Sequence, residues 1–204
     1  MPLRVVVLLS GSGTTLQNLI DHIARGALDA RITGVVSSRA GVYGLERARL
    51  AGIPAATVPR KAYPDDAAFN ADLWREIRGM GADLVVLAGF MSLITVPGDF
   101  HNRIINVHPA LIPAFCGHKM YGHHVHEAVL AFGAKVSGAT VHFVDDQYDH
   151  GPIILQKCVP VLDDDTPDTL ADRVQAAERE IYPQALQLIA GGRVTVEGRR
   201  VRVR

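Results

Sequence analysis

The stretch from Arg4 to Leu9 reads RVVVLL, almost unbroken in β-branched residues and leucine. Such a run predicts a strand covered on both faces, because a strand with one solvated face would alternate. The glycines of SGSG end it. Leu16, Leu19, Ile20 and Ile23 then recur at i, i+3, i+4 and i+7, the spacing of one helix face. Continued along the chain, the same reading predicts a strand at Ile32–Val36, a short helix over 43–50, a weak strand at 55–58 and a helix over 64–80 faced by Phe69, Leu73 and Ile77. A buried strand follows at 83–88, another at Ile104–Val107, a helix around Ala128–Ala131, and strands at 137–144 and 153–159. Strand and helix alternate over roughly 130 residues, which argues a mostly parallel sheet with helices on both faces. The final section differs. Thr166, Pro167 and Asp168 supply an N-cap, a proline at the first helical position and an acidic first turn. Leu170, Val174, Ala177 and Ile181 form one stripe, and Gly191-Gly192 stops the helix. RVTVEGRRVRV alternates and turns at Glu197-Gly198, so a C-terminal hairpin is predicted. The fold class is α/β: a single Rossmann-like domain over 1–204, with a mostly parallel twisted sheet and no repeat or linker.

Composition narrows the function classes. The 204 residues are 48% hydrophobic, enough for a sizeable core. Lys and Arg (21) balance Asp and Glu (21), so no strongly basic face awaits duplex nucleic acid. Cys116 and Cys158 are too few for a disulfide framework and read as free thiols in a reducing cytoplasm. No run approaches ~18 apolar residues, so no membrane span is expected. MPLRVVVLLSGSG lacks the basic start and cleavage site of a signal peptide, and the expected location is cytoplasmic.

Four stretches carry candidate chemistry. SGSGTTLQNL joins a strand to a helix, and a helix N-terminus offers N–H groups and positive dipole to a phosphate. A dinucleotide fingerprint would place a third glycine at Leu16 and an acidic residue after the second strand, where SSRA stands instead. A mononucleotide or sugar phosphate therefore fits better than NAD, Arg39 leaves NADP open, and a plain glycine turn is supported equally by spacing alone. In INVHP, Asn106 and His108 sit two apart and face one way, and Pro109 ends the ladder. An amide donor and an imidazole at a strand end suit a developing oxyanion and proton transfer; taken alone, a structural Asn and His at a turn is the commoner outcome. In DDQYDHGPIILQ, Asp149 precedes a His-Gly-Pro turn. A carboxylate near His108 would raise its pKa and orient it, although charge-rich loops are usually just solvated turns. Cys116, His118, His123, His124 and His126 crowd one span, but their spacing matches no closed zinc pattern, and no metal is expected. A loop covering a substrate is the better reading.

Together these pieces resemble the folate-dependent glycinamide ribonucleotide transformylase family. The resemblance lies in VLLSGSGTTLQ, VVLAGFM, INVHPALIPAF, SGATVHFV, the DHGPIILQ stretch and RVQAAEREIYP, and covers roughly residues 3–193. It implies formyl transfer from 10-formyltetrahydrofolate, the co-substrate, to the amine of glycinamide ribonucleotide in purine biosynthesis. Asn106, His108 and Asp149 match the family's catalytic trio. Gly11, Ser12, Gly13, Thr14 and Thr15 match its phosphate loop, and Glu178 matches an acidic residue contacting the ribose. Met91, Ser92, Leu93 and Ile94 match its folate-site strand end, together with Val144, Asp145, Asp146, Gln147 and Tyr148 of the following loop. The chain then divides into a phosphate-binding half of roughly residues 1–100 and a catalytic and folate-binding half of roughly 101–204. Small-molecule substrates, no nucleic acid, no membrane, and a monomer or homodimer are the expected partners and state.

The sequence departs from the family at three places. Ser92 stands where an arginine is usual, Asp66 stands where another is usual, and HKMY looks inserted after Cys116-Gly117. Relatives of the same fold leave other activities open: a sugar-nucleotide formyltransferase, or a formyltetrahydrofolate hydrolase. From a different class, a phosphate- or metal-binding module without chemistry would make His108 and Asp149 dispensable.

Overall fold

In the computed structural model, which describes residues 1–204, the first apolar run is strand β1 (Leu3–Leu9), with Val5 to Leu9 buried. The chain divides into two compact units, Met1–Ile105 and Asn106–Arg204, and the division falls inside strand β5 (Ile104–His108).

The first unit holds β1, β2 (Ala30–Ser37), β3 (Ala55–Thr57), β4 (Leu84–Leu87) and the start of β5, in the order β3-β2-β1-β4-β5. β1 pairs in parallel with β2 and with β4, and β2 with β3. Parallel neighbours need crossovers, supplied here by helices α1 (Thr14–Ala24), α2 (Tyr43–Leu50) and α3 (Asp66–Gly79). The i, i+4 stripe on α3 buries Phe69, Leu73 and Ile77 as its spacing predicts. Asp65 caps that helix by accepting from the Ala68 N–H at 2.8 Å.

In the second unit the order is β5-β6-β7, with β6 (Val136–Phe143) and β7 (Ile153–Pro160) antiparallel and joined by a loop alone. Helix α4 (His123–Phe132) precedes β6, and the 24-residue α5 (Pro167–Ala190) follows β7. At the start of α5, Thr166 accepts from the Thr169 N–H and the Thr169 side chain accepts from the Thr166 N–H, a reciprocal cap with Pro167 at the first position. The predicted hairpin is β8 (Val194–Glu197) with β9 (Arg200–Val203), turning through Gly198 at φ 59°. No helix is long and apolar enough to cross a membrane.

Helix α1 is opened by Gly13, at φ 73° and without a side-chain cap. A Cβ at Gly13 would lie 2.6 Å from the Cα of Gly44 on α2. Both the left-handed backbone and the missing side chain are therefore required. Gly13→Ala should destabilise the first unit by roughly 2–4 kcal/mol, combining the left-handed penalty with the overlap; a urea midpoint unchanged from the parent protein would refute this.

Candidate active site

Strand β5 brings the two residues singled out at its end into one neighbourhood of the second unit. Asn106 and His108 lie two apart on it, and Pro109 follows. Asp149, in the β6–β7 loop, places Oδ2 3.4 Å from His108 Nδ1. The sequence reading missed a fourth group. His142 of β6 puts Nε2 3.4 Å from Asn106 Nδ2 and 3.7 Å from Asp149 Oδ1. Its signal was a lone imidazole near the end of an otherwise buried, mostly apolar strand, a position where a polar ring needs partners.

Hydrogen bonding locates the protons. His108 Nε2 lies 2.9 Å from the Phe115 carbonyl, which only accepts, so Nε2 carries a hydrogen. His142 Nδ1 likewise donates to the Phe143 carbonyl at 2.8 Å. The other nitrogen, Nε2, either carries a hydrogen toward Asp149 Oδ1 at 3.7 Å or accepts, weakly at 3.4 Å, from the Asn106 amide. That contact uses only one of the two amide hydrogens of Asn106. On His108 the remaining nitrogen faces a carboxylate, so a proton between Nδ1 and Oδ2 relieves two opposed lone pairs. Asp149 Oδ2 also accepts the Gly117 N–H at 3.0 Å. Two non-glycine residues in left-handed backbone, Phe115 (φ 50°) and Asp149 (φ 51°), hold the two sides of the imidazole.

Burial pushes the His108 imidazole below its ordinary value, while Asp149 and the Phe115 carbonyl pull it up and His142 pushes it down. The carboxylate thus pulls in the expected direction, but burial outweighs it and the ring is not left raised. His108 is 3% exposed, and the cost of charging it away from water outweighs one carboxylate at 3.4 Å. For Asp149, burial works upward, but the neighbouring His142, His108 and the Gly117 N–H outweigh it and hold the carboxyl below its usual range. Burial thus favours the uncharged imidazole while its neighbours favour the ionised carboxylate.

The other candidate residues fall as follows. In the first unit Gly11, Ser12 and Thr14 are exposed, Thr15 is half-buried and Gly13 is buried, in a loop held by Arg47 Nε donating to the Ser12 carbonyl at 3.0 Å. Met91, Ser92, Leu93 and Ile94 lie beyond β4, not on it, in an irregular segment. That segment is anchored by the Met91 N–H on Ser10 Oγ at 2.9 Å, and by Trp74 Nε1 donating to the Thr95 carbonyl at 2.9 Å. Met91 and Leu93 are exposed, whereas Ile94 belongs to the core. Asp66 pairs with Arg60 at 2.7 Å. In the second unit Val144 and Asp145 are half-buried, and Asp146, Gln147 and Tyr148 are exposed. The histidines of the crowded span separate: His123 faces Asp168, His124 faces Glu127, and His126 is buried. No group of three or more His, Cys, Asp or Glu side chains is placed to hold a metal ion.

The sequence profile of the formyl transferase family matches residues 3–186. The chain belongs to the formyl transferase family. Within it, the chain is 43% identical over 193 residues to the trifunctional purine biosynthetic protein adenosine-3 of Bos taurus, covering 94% of this chain and 19% of that protein's length. It is 39% identical over 194 residues to the phosphoribosylglycinamide formyltransferase of Escherichia coli strain K12, covering 94% of this chain and 89% of that protein. Among solved structures, glycinamide ribonucleotide transformylase 1 of Symbiobacterium toebii superposes with a TM-score of 0.93 at 48% identity, covering 99% of this chain and 94% of that one. The fold is thus that of the family's transformylases, a mostly parallel sheet with a terminal hairpin.

Glu178, on α5, is half-buried, and burial pushes its carboxyl up to about 7 against the pull of Arg179. A raised carboxyl stabilises the fold fully only below its unfolded value, and that contribution is lost as pH climbs through about 7. Glu178→Gln escapes this loss. Relative to the parent, the variant should gain stability from about pH 4.5 upward and level off above 7, by about 1–3 kcal/mol. Urea melts at pH 5 and pH 8.5 check it; an equal difference at both sinks it.

Proposed function

We propose that this protein transfers the formyl group of 10-formyltetrahydrofolate to the amine of glycinamide ribonucleotide, a step of purine biosynthesis. The observation carrying this reading is the convergence of Asn106, His108 and Asp149 in the second unit, in a chain that covers 89% of a single-activity phosphoribosylglycinamide formyltransferase. The amine nitrogen attacks the formyl carbon, a C–N bond forms, and the carbonyl electron pair moves to oxygen. The uncommitted N–H of Asn106 stabilises that oxyanion, and the Nε2–H of His108 would join it on leaving the Phe115 carbonyl. The attacking nitrogen gives up a proton to the His108–Asp149 pair. Collapse re-forms the carbonyl, the bond to the donor's nitrogen breaks, and that nitrogen receives a proton. An imidazole held below its ordinary value is, once charged, the stronger acid for this delivery.

In this reading the nucleotide's phosphate is assigned to residues 11–15, where α1 begins without a side-chain cap. Its ribose is assigned to Glu178. The donor is assigned to the exposed apolar Met91 and Leu93, with Ser92 and Ile94 beside them, and to the 144–148 loop. The test is a formyl-transfer assay on the purified protein, following tetrahydrofolate with and without glycinamide ribonucleotide. Nucleotide-dependent release is the expected result. Release without nucleotide would replace the reading by a hydrolase, and no release in either would move it to another amine.

A further inference from the structure

The loop that carries Asp149 is tied to the C-terminal hairpin through a single residue. Residues 144–151 leave β6 and return to β7, and the neck is tight: a Cβ on Gly151 would lie 1.9 Å from the Phe143 carbonyl oxygen, and the Phe143 N–H donates to the Pro152 carbonyl at 2.8 Å. Beyond the neck the loop makes its own turn, with Asp145 Oδ1 accepting the Gln147 N–H at 3.0 Å and Asp145 Oδ2 2.7 Å from His150 Nδ1. From the hairpin, Arg199 Nη2 donates to the His150 carbonyl at 2.7 Å, and Arg199 Nη1 lies 3.0 Å from His150 Nε2. Arg199 Nη1 lies only 3.4 Å from Nδ1 as well, so the guanidinium rests over the face of the imidazole, while Nδ1–H donates in the ring plane to the Asp145 carboxylate. His150 thus links Asp145 to Arg199.

The residue immediately before this link is Asp149, whose φ of 51° is a backbone state that non-glycine residues leave unless held. On its side-chain side the Gly117 N–H holds Oδ2. On its main-chain side the hold is Arg199, at the next peptide. We propose that Arg199 is a positioning residue for formyl transfer: through His150 the β8–β9 hairpin braces the loop and sets where the Asp149 carboxylate meets His108. This rests on the function proposed above, but the brace itself is observable without activity. The hairpin, which follows the last matched residue of the family profile, then acts as part of the catalytic scaffold. One donor to the carbonyl and a planar face against the imidazole make the contact specific for arginine, since lysine is a single point donor.

The experiment uses the full chain with Arg199→Ala and Arg199→Lys. Amide hydrogen exchange is read over 144–151, and kinetics are measured with each substrate varied in turn. Exchange in the loop should rise on the order of tenfold in Arg199→Ala, with residues 3–105 unchanged. kcat should fall about tenfold, as expected for a displaced catalytic group, with both KM values within about twofold. Arg199→Lys should recover only part of each effect. Unchanged loop exchange overturns the brace. Faster exchange with kcat within about twofold of the parent overturns the positioning role, as does a loss of kcat that only tracks a lowered Tm. A parent protein inactive with both substrates would instead sink the proposed function, while the exchange arm still decides the brace.

Discussion

Asn106→Ala should lower kcat for formyl transfer about 100- to 1000-fold, the loss of about 3–4 kcal/mol typical of removing one oxyanion donor. The effect should fall on kcat and kcat/KM alike, because the lost hydrogen bond forms only as charge gathers on the formyl oxygen. The fold should hardly respond. Asn106 is half-buried, and its one side-chain contact, to His142, is a weak 3.4 Å. Asn106→Asp sharpens the test: it keeps the shape, removes both donors and adds a like charge close to Asp149 through the shared neighbour His142. Steady-state kinetics with thermal melts decide the matter, and turnover equal to the parent's in either variant would remove Asn106 from the chemistry.

Asp149→Asn should cost a comparable factor, on the order of 100-fold or more at neutral pH, and should also move the pH profile. The carboxylate pulls His108 upward against burial. Without it the imidazole drops further, so any limb of the rate profile that requires charged His108 shifts to lower pH. The amide adds a second effect, since its N–H can donate to the bare Nδ1 and fix His108 as a neutral ring. A kcat–pH curve for Asp149→Asn that overlays the parent's would show that the 3.4 Å approach of these groups carries no proton traffic.

The elements of the fold were written locally, and the site only in part. Thr166, Pro167 and the stripe through Leu170, Val174, Ala177 and Ile181 announce α5 because caps and periodicity act within a few residues. Asn106 and His108 were legible for the same reason: a strand ending in proline presents i and i+2 side chains together. His142 was not, because its meaning depends on which strand lies beside it and which tautomer its neighbour's carbonyl selects. The pull of Asp149 on His108 was legible and the opposing burial was not, since a carboxylate is visible in a sequence and burial is not. The contact of Arg199 with the loop was invisible, for the residue looked like the turn of a charged hairpin; only the folded chain sets it against His150. Ile94 was grouped with Met91 and Leu93 by adjacency, yet the irregular path after β4 sends it into the core.

Gly13, in the loop proposed to hold phosphate, carries one more implication. Gly13 and Gly44 occupy a volume that neither α1 nor α2 owns, and Gly44 in turn has no room for a Cβ against Leu9 on β1. The height of the loop proposed to seat an anion is therefore set by a residue outside the motif. Two sequences sharing SGSGTT but differing at position 44 would share a signature without sharing a loop height, and transplanting the motif alone into another α/β scaffold would carry over the letters and leave the ruler behind.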